Sequence, residues 1–185
     1  MDSTTSYARR RRRTTVRLGP SGWVSIRPID QLDRPALSDF YAALSAESSR
    51  RRFMSSSRPS ADLLDLLATS DGLVAVLHRP GADDGAIVGH ALLAAEGNGT
   101  AEAAFAVRDD LQHRGIGHAL VAATLGRARD LGLVHLRAIT EPANRAMRRL
   151  VLDAGCVVES DTIDAGVEEL LLGLSGASPG AARAA

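Results

Sequence analysis

With 185 residues, 45% of them hydrophobic and 24% charged, the chain has the composition of one globular domain with a real core. Its single cysteine, Cys156, excludes an internal disulfide framework, and no apolar run approaches the ~20 residues that a membrane-spanning helix needs. The net charge is zero but unevenly placed: residues 1–19 hold six arginines against Asp2 alone, leaving residues 20–185 with sixteen arginines, no lysine and twenty-one acidic side chains, a net −5 that favours a cationic substrate. In chain order, residues 1–20 read as a disordered Arg-rich tail, with Arg9 to Arg13 more simply solvated than bound to nucleic acid. Residues 23–29 form a first strand, Val24 and Ile26 alternating with Ser25 and Arg27. Leu37, Phe40, Tyr41 and Leu44 mark a helix over 33–46, and Leu63, Leu64 and Leu67 mark a shorter one over 60–68, introduced by Pro59. Two strands, 73–78 and 86–96, flank the turn-forming stretch 80–85, and Gly97-Asn98-Gly99 turns into a fourth strand at 100–107. A helix follows at 115–131, stopped by Gly132, and then a fifth strand at 133–139. Thr140 and Pro142 open another helix, with Ala143, Ala146, Met147, Leu150, Val151 and Ala154 on one face and Gly155 as its end. Strands at 157–160 and 167–173 complete a mixed α/β sheet with helices on its faces, and 175–185 reads as a second unstructured tail.

The segment Val107-Arg108-Asp109-Asp110-Leu111-Gln112-His113-Arg114-Gly115-Ile116-Gly117-His118 joins a strand to a helix. The first N–H groups of a helix lack internal partners and carry the positive end of its dipole. Glycines at 115 and 117 let an anion approach them, and a pyrophosphate is the natural guest. Two common nucleotide motifs are excluded. The Walker pattern needs a lysine that the chain lacks, and a dinucleotide fingerprint needs a third glycine where Leu120 stands. The glycines alone also fit a plain tight turn.

Gln112-His113-Arg114-Gly115-Ile116-Gly117 resembles the Q/R-x-x-G-x-G/A signature of the GNAT acyltransferase superfamily. The strand ending Phe105-Ala106-Val107, the helix opening at Gly117-His118, and Asn144 with Gly155 around the next helix fit the same pattern. Over about residues 21–174 the element order is similar to a GNAT acetyltransferase domain, with a mostly antiparallel central sheet. Leu44 to Phe53 and Ala101 to Val107 resemble the catalytic domain of bacterial protein-lysine acetyltransferases that modify acyl-CoA synthetases. Some of those carry an attached sensing or synthetase-like domain, for which this chain has no room.

The resemblance implies acetyl-CoA as cosubstrate and no metal. Phe105, Ala106 and Val107 would hold the pantetheine arm as an added strand is held, with a backbone N–H near Val107 polarising the thioester carbonyl. Gln112, His113, Arg114, Gly115, Ile116, Gly117 and His118 would hold the pyrophosphate, and Asn144 the cofactor arm. The acceptor would be an amine, chiefly a protein lysine in the cytoplasm, or else a small amine such as a polyamine, amino acid or aminoglycoside. A non-catalytic acyl-CoA sensor is the third reading. A lysine amine, with a pKa near 10.4, needs a base to free its lone pair. Period two puts Glu102, Ala104 and Ala106 on one strand face and Ala103, Phe105 and Val107 on the other, so Glu102 stands beside methyl groups with room for substrate. The resemblance gives that position the general base, and Glu96 is the reserve. Many superfamily members place an acidic tyrosine seven residues after the asparagine, where Val151 stands, so no acid is assigned. His113 and His118 are read as packing or phosphate-facing groups, and His78, His90 and His135 are scattered without a metal motif. Cys156 is read as a small core residue, Arg148 and Arg149 as solvated, and Arg50 to Arg52 as either exposed or lining the acceptor side.

Overall fold

The computed structural model describes residues 14–55, 57–81 and 84–174, so residues 1–13 of the tail expected over 1–20, and the whole tail expected at 175–185, lie outside the described residues. The elements run β1 (Thr14–Arg17), β2 (Trp23–Pro28), α1 (Arg34–Ala42), α2 (Ala46–Phe53), α3 (Ala61–Thr69), β3 (Asp71–His78), β4 (Ile87–Gly97), β5 (Thr100–Val107), α4 (Ile116–Asp130), β6 (His135–Thr140), α5 (Arg145–Asp153), β7 (Cys156–Asp164) and β8 (Val167–Leu174). They form one eight-stranded sheet in the order β1-β2-β3-β4-β5-β6-β8-β7. Every pairing is antiparallel except that of β5 with β6. This is the mixed, mostly antiparallel α/β sheet read from the sequence.

Several boundaries differ from that reading, among them the strand expected at 157–160, which runs from Cys156 to Asp164. Thr14–Arg17, expected inside the disordered tail, is an edge strand on β2, with Val16 packed beside buried Leu18. Thr and Val favour strands, but the pairing that recruits them lies outside their own segment. The helix expected over 33–46 ends at Ala42, because Ser45 starts a new one: its hydroxyl accepts from Ser48 N–H, and α2 follows. The cap of α5 is Asn144 rather than Thr140; the Asn144 carboxamide accepts from Met147 N–H and donates to the Thr140 hydroxyl at 2.9 Å.

The sheet has two differently covered faces. Helix α4 buries Ile116, Leu120, Val121, Leu125 and Ala128 against one of them. Each fully buried aliphatic side chain there contributes ~1.5–3 kcal/mol. Gly89 of β4 permits this approach, since a Cβ on it would stand 2.8 Å from the Leu120 Cδ1. With α5, α4 seals that face from β2 to β8. On the other face α1 and α3 cover only the β3–β4 half, through Leu37, Phe40, Tyr41, Leu64 and Leu67. The β5–β8 half of this second face carries Glu102, Arg137 and Glu169.

Candidate active site

The site begins where two strands part. β5 pairs with β6 for only three residues, Thr100↔His135, Ala101↔Leu136 and Glu102↔Arg137. β5 then continues along β4 as far as Gly89↔Val107, while β6 follows β8. From Ala103 to Val107 the β6-side edge of β5 has no strand partner among the described residues. Such an edge is a template for an extended amide chain. Phe105, Ala106 and Val107 all lie on it.

Past β5 the chain makes a short turn and enters α4. Gly115 is the N-cap, left-handed at φ 84° and offering no side chain to the helix N-terminus. A residue with a Cβ would be strained there. His113 is also left-handed, at φ 58°, and His113, Arg114 and His118 are exposed. Ile116 points inward and is buried, so its expected cofactor contact reduces to its backbone. Gly117 lies in the first turn of α4, where an added Cβ would meet Leu150 at an ordinary 3.5 Å. The Gln112 amide donates to the Val107 carbonyl at 3.1 Å and to the Ser48 hydroxyl at 3.2 Å. Asp109 accepts from Ser45 N–H at 2.9 Å and from the hydroxyls of Ser45 and Ser48 at 2.8 and 2.7 Å. Burial alone would push the Asp109 carboxyl up, but these bonds outweigh it and hold it below the usual range. The glycine loop and the start of α2 are thereby one bonded unit.

On the open face the β4–β5 ladder is regular from Ala101 to Val107, so the parity expected from the sequence holds. Ala101 and Ala103 are buried on the α4 side, and Glu102 stands on the other face, its side chain 34% exposed. Its partner is Arg137, whose Nη2 is 3.2 Å from the Glu102 carboxylate. Arg137 also bonds Glu96 and lies 3.5 Å from Glu169. The guanidinium holds Glu96 below the ordinary carboxylate range, which makes the reserve candidate a poor base. Arg137 was missed in the sequence, because only the parallel register of β5 and β6 sets it beside Glu102. The Ser45–Ser48–Asp109 group was missed too, although Ser45 three residues before Ser48 carries the spacing of a cap.

The remaining candidates fall elsewhere. Asn144 sits at the end of β6 next to the opening, partly occupied as a helix cap. Val151 is buried in the α5 core and supplies no acid. Cys156 is buried, and burial raises its thiol pKa, which fits a core residue. Arg148 is not simply solvated as read, because it pairs with Asp161 and Glu168 and ties α5 to β7 and β8. Arg149 is 84% exposed. Arg50 pairs with Glu141, joining α2 to the loop after β6, on the far side of the parted strands.

A helix N-terminus beside an unpaired strand edge suits an elongated ligand with amide groups along it and an anionic end. The family comparison agrees. The model of the acetyltransferase (GNAT) family matches residues 37–155. The chain belongs to the GNAT acetyltransferase family, whose members are acetyl-CoA-dependent N-acetyltransferases. It is 31% identical over 147 residues to the acetyltransferase Pat of Mycolicibacterium smegmatis, a match covering 77% of this chain and 44% of that protein. The chain thus spans less than half the length of this curated relative. Among solved structures it resembles the GNAT domain of the S. lividans PAT, with TM-score 0.75 and 28% identity over 88% of this chain and 97% of that one. A phosphinothricin acetyltransferase of Sinorhizobium meliloti, solved with AcCoA, shares the fold at TM-score 0.65 and 19% identity, over 84% of this chain and 96% of the other.

Proposed function

We propose that this domain transfers the acetyl group of acetyl-CoA to the side-chain amine of a protein lysine in the cytoplasm, with Glu102 as general base. The resemblance of residues 44–53 and 101–107 to the catalytic domain of bacterial protein-lysine acetyltransferases supports the choice of acceptor. A lysine on an acyl-CoA synthetase is the acceptor we would test first. The observation that carries the reading is the position of Glu102, on the open face of β5 just where the β6-side edge of that strand loses its partner among the described residues.

The residues divide the work as follows. Phe105, Ala106 and Val107 present backbone groups to the pantetheine arm. The N–H groups of Gly115, Ile116, Gly117 and His118 meet the pyrophosphate, with Arg114 and His113 adding positive charge and Gln112 bracing the turn. Asn144 keeps one amide hydrogen for the cofactor arm. The donor supplies a thioester whose carbonyl the acceptor nitrogen attacks. Glu102 takes the ammonium proton, directly or through one water, before or during attack. Arg137 positions the Glu102 carboxylate and is not itself in line for the proton. Glu96, Glu102 and Glu169 together draw a cationic acceptor to this face. The CoA thiol is a good leaving group, so the absence of an acid at Val151 is tolerable.

The test is incubation with acetyl-CoA and three acceptors: an acyl-CoA synthetase, a lysine peptide and a polyamine, read by mass spectrometry. A gain of one acetyl on a synthetase or peptide lysine supports the reading. Acetylation of the polyamine alone favours a small-amine enzyme, and cofactor binding without any product favours a sensor.

A further inference from the structure

Among the described residues, only three buried side-chain nitrogen or oxygen atoms have no hydrogen-bond partner: Nε and Nη2 of Arg52, and Nε2 of His90. They belong to one cluster. The Tyr41 hydroxyl and His90 Nδ1 are 2.7 Å apart, Tyr41 packs on Phe53, and the Arg52 guanidinium lies 4.8 Å from the Phe53 ring. Neighbouring arginines on α2 are satisfied, Arg50 by Glu141 and Arg51 by Glu47. Arg52 has no carboxylate partner. His90 brings no negative charge either, since burial and then the Arg52 charge push its pKa down to about 3 and keep it neutral. Arg52 is half-buried beside Tyr41, yet two of its N–H-bearing atoms, Nε and Nη2, are buried without an acceptor, and their lost hydration is not replaced. A carboxylate has the charge and the paired oxygens that suit two guanidinium N–H groups.

The cluster faces the acceptor side. His90 stands directly opposite Ala106 in the β4–β5 ladder, and Ala106, Ala104 and Glu102 share one face. Four residues of strand, roughly 13 Å, separate the levels of Ala106 and Glu102. Arg52, beside Tyr41 and His90, belongs to the Ala106 end of that interval, and Glu102 marks the other. Helix α2 above it is lightly packed, Ser49 being its only buried residue. Its ties are polar ones, to Asp109, Gln112 and Glu141. A small shift of α2 therefore gives access to Arg52 with little loss of apolar burial.

We propose that Arg52 recognises a carboxylate carried by the amine acceptor, so that the site selects acceptors with an anion a few atoms from the reacting nitrogen. This rests on the acetyl-transfer reading above and adds the acceptor's second charge to it. The carboxylate has two sources, the α-carboxylate of a free amino acid and an acidic side chain beside a peptide lysine.

Calorimetry on the CoA-loaded protein separates them without depending on turnover. The first pair of probes is L-lysine and L-lysinamide; the second is the blocked tripeptides Gly-Lys-Glu and Gly-Lys-Gln. The carboxylate-bearing member of one pair is expected to bind at least tenfold tighter, against the preference of an acidic surface for the more cationic member. In Arg52→Met that advantage falls below twofold with CoA affinity unchanged, and in Arg52→Lys part of it returns. Equal binding within both pairs by the wild-type protein overturns the proposal, as does a folded Arg52→Met protein with its carboxylate preference intact. Preference in the free-lysine pair alone upholds Arg52 but shifts the acceptor from protein lysine to an amino acid. Carboxylate preference with no acetylated product upholds the subsite and removes the enzymatic reading.

Discussion

The two faces of β5 are made of residues one step apart, yet they are held by different forces. On one face Ala101 and Ala103 meet the side chains of α4 in a dry, apolar core. On the other, Glu102 meets Arg137, Glu96 and Glu169 in a half-exposed ionic group. Burial of apolar surface gives ~25 cal/mol per Å², while partly exposed ion pairs give ~0–1 kcal/mol each. The first face therefore sets stability. The second is nearly free of that duty, and its charges can be arranged for chemistry.

Substitutions should separate the faces cleanly. The largest effect is expected from Leu120→Ala, which empties a fully buried position under Gly89 and should cost ~2–5 kcal/mol, read as a fall in Tm of about 5–15 °C. Glu102→Gln should leave Tm within about 2 °C and lower turnover by roughly 10²-fold or more. If Glu102→Gln instead unfolds the domain, the division of labour is wrong. Gly117→Ala is a finer probe. The helix gains up to ~1 kcal/mol in propensity and has room for the methyl group, so the protein should be no less stable. Its acetyl-CoA affinity, measured by calorimetry, should still fall about tenfold as the methyl group crowds the phosphate. Arg137→Gln should change Tm by less than about 2 °C, because its partners are half exposed. It should also let the Glu96 carboxyl, now held low by Arg137, rise toward its ordinary value in an NMR titration. A pH-dependent test concerns His90. Its folded pKa of about 3 lies below its unfolded value near 6.5, so its contribution is complete above pH 6.5 and is lost as pH falls toward 3. A His90→Gln variant should therefore lose less Tm than wild type between pH 6.5 and 4, even if it starts lower.

The elements proposed to hold the donor were legible because they are local. Gln112 to Gly117 and the strand before them are contiguous in the chain, and the period-two argument for Glu102 needed only β5 itself. The acceptor half was not, because it is assembled by register. Arg137 reaches Glu102 through a three-residue parallel pairing across a helix, and Arg52 reaches Tyr41 and His90 through the packing of α2 on β4 and β5. Periodicity carries no information on either. The same limit explains Thr14–Arg17, whose strand exists only because β2 has an edge to offer, and Arg148, whose partners come from β7 and β8. The short α2 escaped notice since its sequence has hardly any apolar stripe; capping and Asp109 define it instead.

The central claim is that Glu102 removes the acceptor's proton, and a pH–rate series on wild type and Glu102→Gln tests it most directly. Single-turnover rates with saturating acetyl-CoA and one lysine acceptor keep the chemical step in view. If Glu102 is the base, the roughly 10²-fold deficit of the variant at neutral pH should shrink steadily toward pH 10, where the free amine forms without help. Two profiles that stay parallel across that range would contradict the account, because a residue that only shapes the pocket costs the same at every pH.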